Sequence, residues 1–414
     1  MKPCRPERPA LSKFHAHWSL DPRIIFLNHG SFGACPKPVL EIQQELRREM
    51  EASPVQFLWR RYDDLLEPAR AALARFIGAR SRDVVFITNA TAGVNAVVRS
   101  LKLRRGDALL TTNLDYNACH NVLVETARQA GAQVQVARVP FPLRRADQAL
   151  EAILEAATSR TRLAMIDHVA SHTALVFPIE RIVRELEARG IDTLVDGAHA
   201  PGMLALDVTK LRPAYYAGNL HKWVCAPKGA GFLWVREDKQ AAVQPPVISH
   251  GHNTPRPGYG AFQDRFDWAG TFDPTAWFCV GVALDWMGHL LPGGWRELRQ
   301  HNHKLAVMAR RLLCQRLRLE PPCPESMLGA MATLPLPDRF QGLPRTGKID
   351  DEQLRLYDEF GIELPLVRFS RPERRWFRVS AQLYNSVAEY EYLAEALSRI
   401  HSERETTKST KCTK

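Results

Sequence analysis

Lys222 stands among apolar neighbours in Asn219-Leu220-His221-Lys222-Trp223, a short way downstream of Asp196-Gly197-Ala198-His199. Burial disfavours a charged ammonium, so an amine in such surroundings is a better nucleophile at neutral pH and can form an imine with an aldehyde. An aspartate leaving a strand can keep a pyridinium nitrogen protonated. Lysine and aspartate together point to pyridoxal 5'-phosphate, which takes up the negative charge left when an amino acid loses a bond at Cα.

Three other turns carry polar groups. Thr88-Asn89-Ala90-Thr91-Ala92-Gly93-Val94-Asn95 leaves an apolar run and enters a helix. Free N–H groups and the positive helix end there suit an anion, although an ordinary N-cap explains Thr91 equally well. Tyr116, in Asn113-Leu114-Asp115-Tyr116-Asn117, can stack on a flat heterocycle or simply pack. Asp167-His168-Val169-Ala170-Ser171-His172 and Asp196 to His199 offer hydrogen-bond partners for a phenolate-like oxygen. The same His168, His172, Asp196 and His199 are legitimate zinc or iron ligands. Neither HExxH nor a carboxylate-rich bridging set occurs, so no metal is expected.

Those groups must be held by regular elements. Amphipathic helices are predicted at Val39–Ala52 and Leu58–Ile77. Strand-like runs then alternate with helical ones: Asp83–Thr88, Ala108–Thr112, Val134–Val139, Leu163–Ile166 and Thr193–Val195, with helices at Gly93–Leu101, Asn117–Gln129, Ala146–Ala157 and Glu180–Arg189 between them. Such alternation marks an α/β fold with a doubly wound, mostly parallel sheet, whose ligands sit at the carboxyl ends of the strands. Ala230–Val235 is a further strand, Gln244–Asp264 a loop, and Pro274–Leu291 and Glu297–Leu317 helices. The expected organisation is an arm at 1–25, a large domain at 26–291, a small C-terminal α+β domain at 292–401 and a disordered tail at 402–414.

The 414 residues, 45% hydrophobic and 24% charged, suffice for a large core. Eight cysteines without a CxxC pair argue for a reducing compartment rather than a disulfide framework or structural zinc. The basic stretch from Met1 to His17 lacks the apolar core of a signal peptide, and no run is long enough to span a bilayer. A cytoplasmic protein without membrane attachment is the expectation. The net charge of +11 is scattered along helices, which speaks for solvated faces rather than nucleic-acid binding.

The ordered succession NATAGVN, LDYNACHN, DHVASHTA, DGAHAPG and GNLHKWVCAPKGAGFL resembles the class V aminotransferase family of pyridoxal phosphate enzymes, and within it the isopenicillin N epimerase-like branch. The resemblance covers Phe26 to Asn385. It implies the aspartate aminotransferase-like fold type I and a homodimer with active sites at the interface. It also implies that Lys222 is the Schiff-base lysine and proton shuttle, that Asp196 binds the ring nitrogen and that His199 bonds the phenolate oxygen. The phosphate would lie on Ala90, Thr91 and Ala92, helped by Asn219 and His221, with Tyr116 as the stacking aromatic. Gly270 and Thr271 would reach the partner subunit's phosphate. Arg378, in Phe377-Arg378-Val379-Ser380, would take the substrate carboxylate, a task that suits a bidentate guanidinium. Asn28 and His29 belong to the loop that would close over the substrate.

The chemistry so implied is removal of the Cα proton of an amino acid to give a quinonoid carbanion. Epimerisation is the first expectation, with C–S lyase action on cysteine derivatives, or transamination, as alternatives. A persulfide-type desulfurase is disfavoured, because Gly361–Phe369 lacks the cysteine that reaction needs. A metal-dependent hydrolase or a non-catalytic basic interaction protein is the rival from a different class.

Overall fold

The chain is described by a computed structural model covering residues 7–341, 347, 349–369 and 373–411, with side chains to 400. Seven strands form the central sheet: β2 (Val84–Ile87), β3 (Ala108–Thr112), β4 (Gln133–Ala137), β5 (Thr161–Asp167), β6 (Asp192–Gly197), β7 (Tyr215–Asn219) and β8 (Gly231–Val235). They are preceded by the short β1 (Ile25–Phe26). The sheet order is β2-β8-β7-β6-β5-β3-β4, with β8 antiparallel to both neighbours and the other pairs parallel.

Helices cover both faces, so these strands are apolar runs rather than alternating ones. Successive side chains still part to opposite sides. Val84 and Phe86 of β2, with Phe232 and Trp234 of β8, join one core. Val85 and Ile87, with Leu233 and Val235, join the other.

A smaller antiparallel sheet follows, in the order β11 (Leu366–Phe369), β12 (Arg374–Ser380) and β9 (Met331–Pro335). Here β1 pairs in parallel with β10 (Ile362–Glu363), and Ile25 faces Ile362. That two-residue ladder matters for the site. It carries the segment from Asn28 to Gly33 between the small sheet and the lysine loop.

Several elements differ from the sequence expectation. The helix predicted over Leu58–Ile77 is a π-helical turn, Gln56–Arg60, followed by Tyr62–Phe76. The long helix predicted from Pro274 breaks at Cys279 into Thr275–Phe278 and Val280–His289. Within the expected loop Gln244–Asp264, a helix begins at Ala261 and runs to Asp267. The strand β7 was not anticipated. Its Ala217 and Gly218 are poor strand formers, and two buried neighbours impose the extended shape. The last helix spans Val387–Lys411, so the backbone of 402–411 continues it instead of forming the expected tail, in keeping with the helix formers Glu403, Arg404 and Glu405. Residues 412–414 lie outside the described ones.

Candidate active site

The carboxyl ends of β2, β5, β6 and β7 converge on a cavity of about 310 Å³, and the loop after β7 delivers Lys222 to it. Ligands of open parallel sheets bind at this edge. Two glycines press the backbone of that loop. A Cβ on Gly33 (φ +69°) would lie 2.0 Å from the carbonyl oxygen of His221, and one on Gly202 (φ +85°) 2.5 Å from that of Trp223.

Lys222 Nζ lies 3.1 Å from Nε2 of His199. Burial, and then the charge of Arg378, bring the lysine down to about 8, within reach of a neutral amine at physiological pH. Burial, with the nearby Lys222 charge, holds the His199 imidazole well below its usual range, and its Nδ1 is buried with no partner among the described residues.

Asp196 ends β6 and is fixed on both oxygens. Its Oδ1 accepts the N–H of Ala198 at 2.9 Å, and its Oδ2 accepts the thiol of Cys119 at 3.3 Å. Burial raises its pKa. Asp167, its partner in the β5–β6 register, also lines the cavity. Burial and the Asp196 charge push the Asp167 carboxyl well above the usual carboxylate range, and its Oδ2 has no partner among the described residues. Cys119 was given no role from sequence, and Asp167 only a place in the candidate segment Asp167–His172. The one available signal for Asp167 was a carboxylate closing an apolar strand.

At the other end of the cavity stands the N-terminus of helix Ala90–Arg99. Asn89 caps it, accepting from the N–H of Ala92 at 3.0 Å, while Asn219 Oδ1 accepts the N–H of Ala90 at 2.8 Å. Ala90, Thr91, Asn219 and His221 line the cavity, and so does Tyr116, which is 45% exposed. Ala92 does not. Its amide, like that of Ala90, is donated to a side-chain oxygen, here Asn89 Oδ1. His221 Nδ1 lies 3.2 Å from the Ala230 carbonyl, and burial lowers this ring to about 4.

Arg378 is not itself among the residues that line the cavity, but it is hydrogen-bonded to two that are. Its Nη1 donates to the Ser171 carbonyl at 2.6 Å and its Nη2 to Ser31 Oγ at 2.9 Å. Both serines line the cavity; Ser171 belongs to the segment Asp167–His172 expected to offer hydrogen-bond partners, whereas Ser31 was not expected. Asn28 is not among its lining residues. Its Oδ1 accepts from Ser31 Oγ at 2.5 Å and from Arg378 Nη2 at 3.4 Å, so it braces the arginine.

His29 is a second correction. Its ring is fully buried and both nitrogens are engaged, Nε2 at the Lys222 carbonyl and Nδ1 at the Tyr384 hydroxyl, so neither is left for a substrate. Gly270 and Thr271 follow helix Ala261–Asp267, and neither lines the cavity. Among the described residues, no group of three or more His, Cys, Asp and Glu is placed to hold a metal ion.

The donor set fits pyridoxal phosphate. A carboxylate locked by two donors suits the ring nitrogen, a buried imidazole and an amine meet near the middle, and a capped helix N-terminus lies at the far end. His29 and His168 are held neutral by burial, down to about 3 and about 4, as is His221. Unfolded imidazoles titrate near 6.5, so below that pH the unfolded chain binds more protons and stability falls. These three rings should therefore cost the cofactor-free protein melting temperature progressively as the pH falls from about 6.5 toward about 4. A flat melting profile across that interval would contradict the neutral, buried state of these rings.

Fold and site define an enzyme of the pyridoxal phosphate-dependent fold type I class. The chain belongs to the class-V aminotransferase family, whose model matches residues 25–324. It is 37% identical over 398 residues to the isopenicillin N epimerase of Amycolatopsis lactamdurans, covering 92% of this chain and 96% of that protein. It is 28% identical to a putative L-cysteine desulfhydrase of Oryza sativa subsp. japonica, covering 90% and 82%. A mutant of C-DES with glycine covalently linked to the PLP cofactor superposes with a TM-score of 0.76 at 20% identity, covering 90% of this chain and 96% of that one.

Proposed function

We propose that this enzyme removes the Cα proton of a free α-amino acid and returns it to the opposite face, as an epimerase. The observation that carries the reading is a buried Arg378, with no carboxylate partner among the described residues, lying close enough to depress Lys222. Pyridoxal phosphate, when bound, supplies the ring that takes up the charge left at Cα.

The chain's own residues do the rest. Arg378 binds the substrate carboxylate, and Ser31, Ser171 and Asn28 hold the guanidinium in place. Lys222, kept close to neutrality, takes the proton. Asp196, fixed by Ala198 and Cys119, holds negative charge at the ring-nitrogen end. Tyr116 and Phe32, 45% and 72% exposed, border the mouth and leave water a path for the returning proton.

The 37% identity to an isopenicillin N epimerase supports inversion as the outcome. β-Elimination from a cysteine derivative is the second reading, supported by the desulfhydrase relative. Desulfuration through a persulfide is disfavoured, because among the described residues no cysteine lines the cavity.

The deciding experiment incubates the enzyme with L- and D-amino acids and S-substituted cysteines in deuterated water. Deuterium entering Cα with loss of optical activity supports epimerisation, pyruvate release supports the lyase, and keto-acid formation supports transamination. No exchange with any substrate would sink the proposal.

Asp196→Asn removes the charge but keeps the shape. It should lower turnover about 10²-fold, the worth of about one charged hydrogen bond, while borohydride still fixes the cofactor on Lys222. Equal rates in variant and parent would contradict the role given to Asp196.

The reading extends to a cytoplasmic homodimer. The exposed apolar side chains Val55, Trp59 and Ile248 and the outlying Gly270 and Thr271 support a second copy, and the six described cysteines, all free thiols, support a reducing compartment. Among the described residues, no helix is long and apolar enough to cross a membrane. Light scattering that gives the mass of a single chain would remove the dimer.

A further inference from the structure

The Lys222 carbonyl is gripped from two sides. It accepts the N–H of Cys225 at 3.1 Å, closing a turn in which Cys225 takes a left-handed φ of +61°. It also lies 2.9 Å from Nε2 of His29. A carbonyl only accepts, so Nε2 must carry the hydrogen and donate. Burial holds His29 down at about 3, which makes the ring neutral and leaves Nδ1 bare. Tyr384 Oη, 2.7 Å from Nδ1, therefore donates to it.

The chain Tyr384 to His29 to Lys222 is thus directional, with each hydrogen assigned by its acceptor. The Gln382 amide nitrogen, 3.4 Å from Nε2 and 3.7 Å from Cys225 Sγ, lies alongside. Its orientation is set by its oxygen, which accepts from Asn302 and from the Leu383 N–H. Trp18 packs edge-on against Tyr384 at 5.1 Å, and Trp223 lies 4.8 Å from the His29 ring. The assembly is buried and rigid. It joins the β1–β10 crossover, the segment after the small sheet and the catalytic loop.

We propose that His29 is a positioning residue for the lysine: its Nε2–H holds the Lys222 backbone so that the amine keeps its line to Cα, and the Tyr384 hydroxyl, donating to Nδ1, holds the ring in that alignment. The proposal rests on the role of Lys222 in the function proposed above. Loss of that grip lets the backbone of the loop shift, and displacements of about 1 Å at a reacting group can cost up to about 10²-fold in rate. Binding of the substrate, which Arg378 governs, is left alone.

The test uses the holoenzyme and three variants. In ¹⁵N NMR of the parent, His29 should show a protonated Nε2 and a bare Nδ1. Tyr384→Phe should leave Nε2 protonated, since the Lys222 carbonyl still accepts from it, while the Nδ1 signal shifts as it loses its donor. His29→Leu should cut kcat about 10²-fold with KM nearly unchanged, and should displace the pH midpoint of the visible cofactor band. His29→Gln, whose amide N–H can stand in for Nε2–H, should recover most of kcat and the parent midpoint. If His29→Leu does not fold, Tyr384→Phe and His29→Gln carry the test.

A protonated Nδ1 in the parent overturns the proposal. So does parent-like kcat and spectrum in His29→Leu, or a well-folded His29→Gln no better than the leucine. Were the catalytic amine not Lys222, borohydride would label another lysine while the His29 tautomer signal stayed as described, so the two failures read differently.

Discussion

Lys222→Ala is expected to yield a folded protein whose turnover is lower by about 10⁴-fold, the upper range for a positioned acid–base group. No neighbour can replace the amine. His199 lies 3.1 Å from the amine in the parent, but burial holds its pKa far down even without the lysine, and His221 is directed to the Ala230 carbonyl. Both remain weak bases. Stability should hardly suffer, because the lost charge is one the interior disfavours, as its depression to about 8 records. Lys222→Arg should be equally inactive, since a guanidinium stays protonated and cannot take the proton. Thermal melting and deuterium exchange at Cα check the two halves separately. Residual exchange above about 1% of the parent would mean that another group removes the proton.

Much of this site could be read without coordinates because its parts end strands. Asp196, Asn219 and the turn at Asn89 to Thr91 each close an apolar run with polar residues, and a parallel sheet brings such ends to one edge. What stayed hidden depends on distant pairing. Nothing near His29 shows that its ring is buried. That follows from the β1–β10 ladder, which brings it against Tyr384, 355 positions later. Asn28 was likewise read as facing substrate, although its amide donates to Glu363 at 3.0 Å and its oxygen braces Arg378. Cys119 lies on a helix whose spacing says only that one face is apolar, and its thiol meets Asp196 because β3 and β6 flank β5. The strand β7 lacked a signal of its own, since burial between β6 and β8 makes Ala217 and Gly218 extended.

Arg378 carries the second large effect. Its guanidinium is 4% exposed, and burial draws it down to about 10. Its partners among the described residues are a carbonyl, two hydroxyls and an amide oxygen, Nε has none there, and none of them brings a compensating negative charge. A buried cation without an anion costs several kcal/mol, and a substrate carboxylate removes that cost on binding. Two charged hydrogen bonds at about 1.5–3 kcal/mol each correspond to a loss of about 10²–10⁴ in kcat/KM for Arg378→Ala, chiefly through KM. Arg378→Lys should recover only part, because an ammonium cannot offer the planar fork. The folded protein should be no less stable to heat, since the uncompensated charge has gone. A double-mutant cycle settles the assignment. Changing the substrate carboxylate to a carboxamide should cost the parent about the same factor and cost Arg378→Ala almost nothing more. If the carboxamide penalty is undiminished in the variant, the carboxylate is bound elsewhere and the buried guanidinium serves the fold alone.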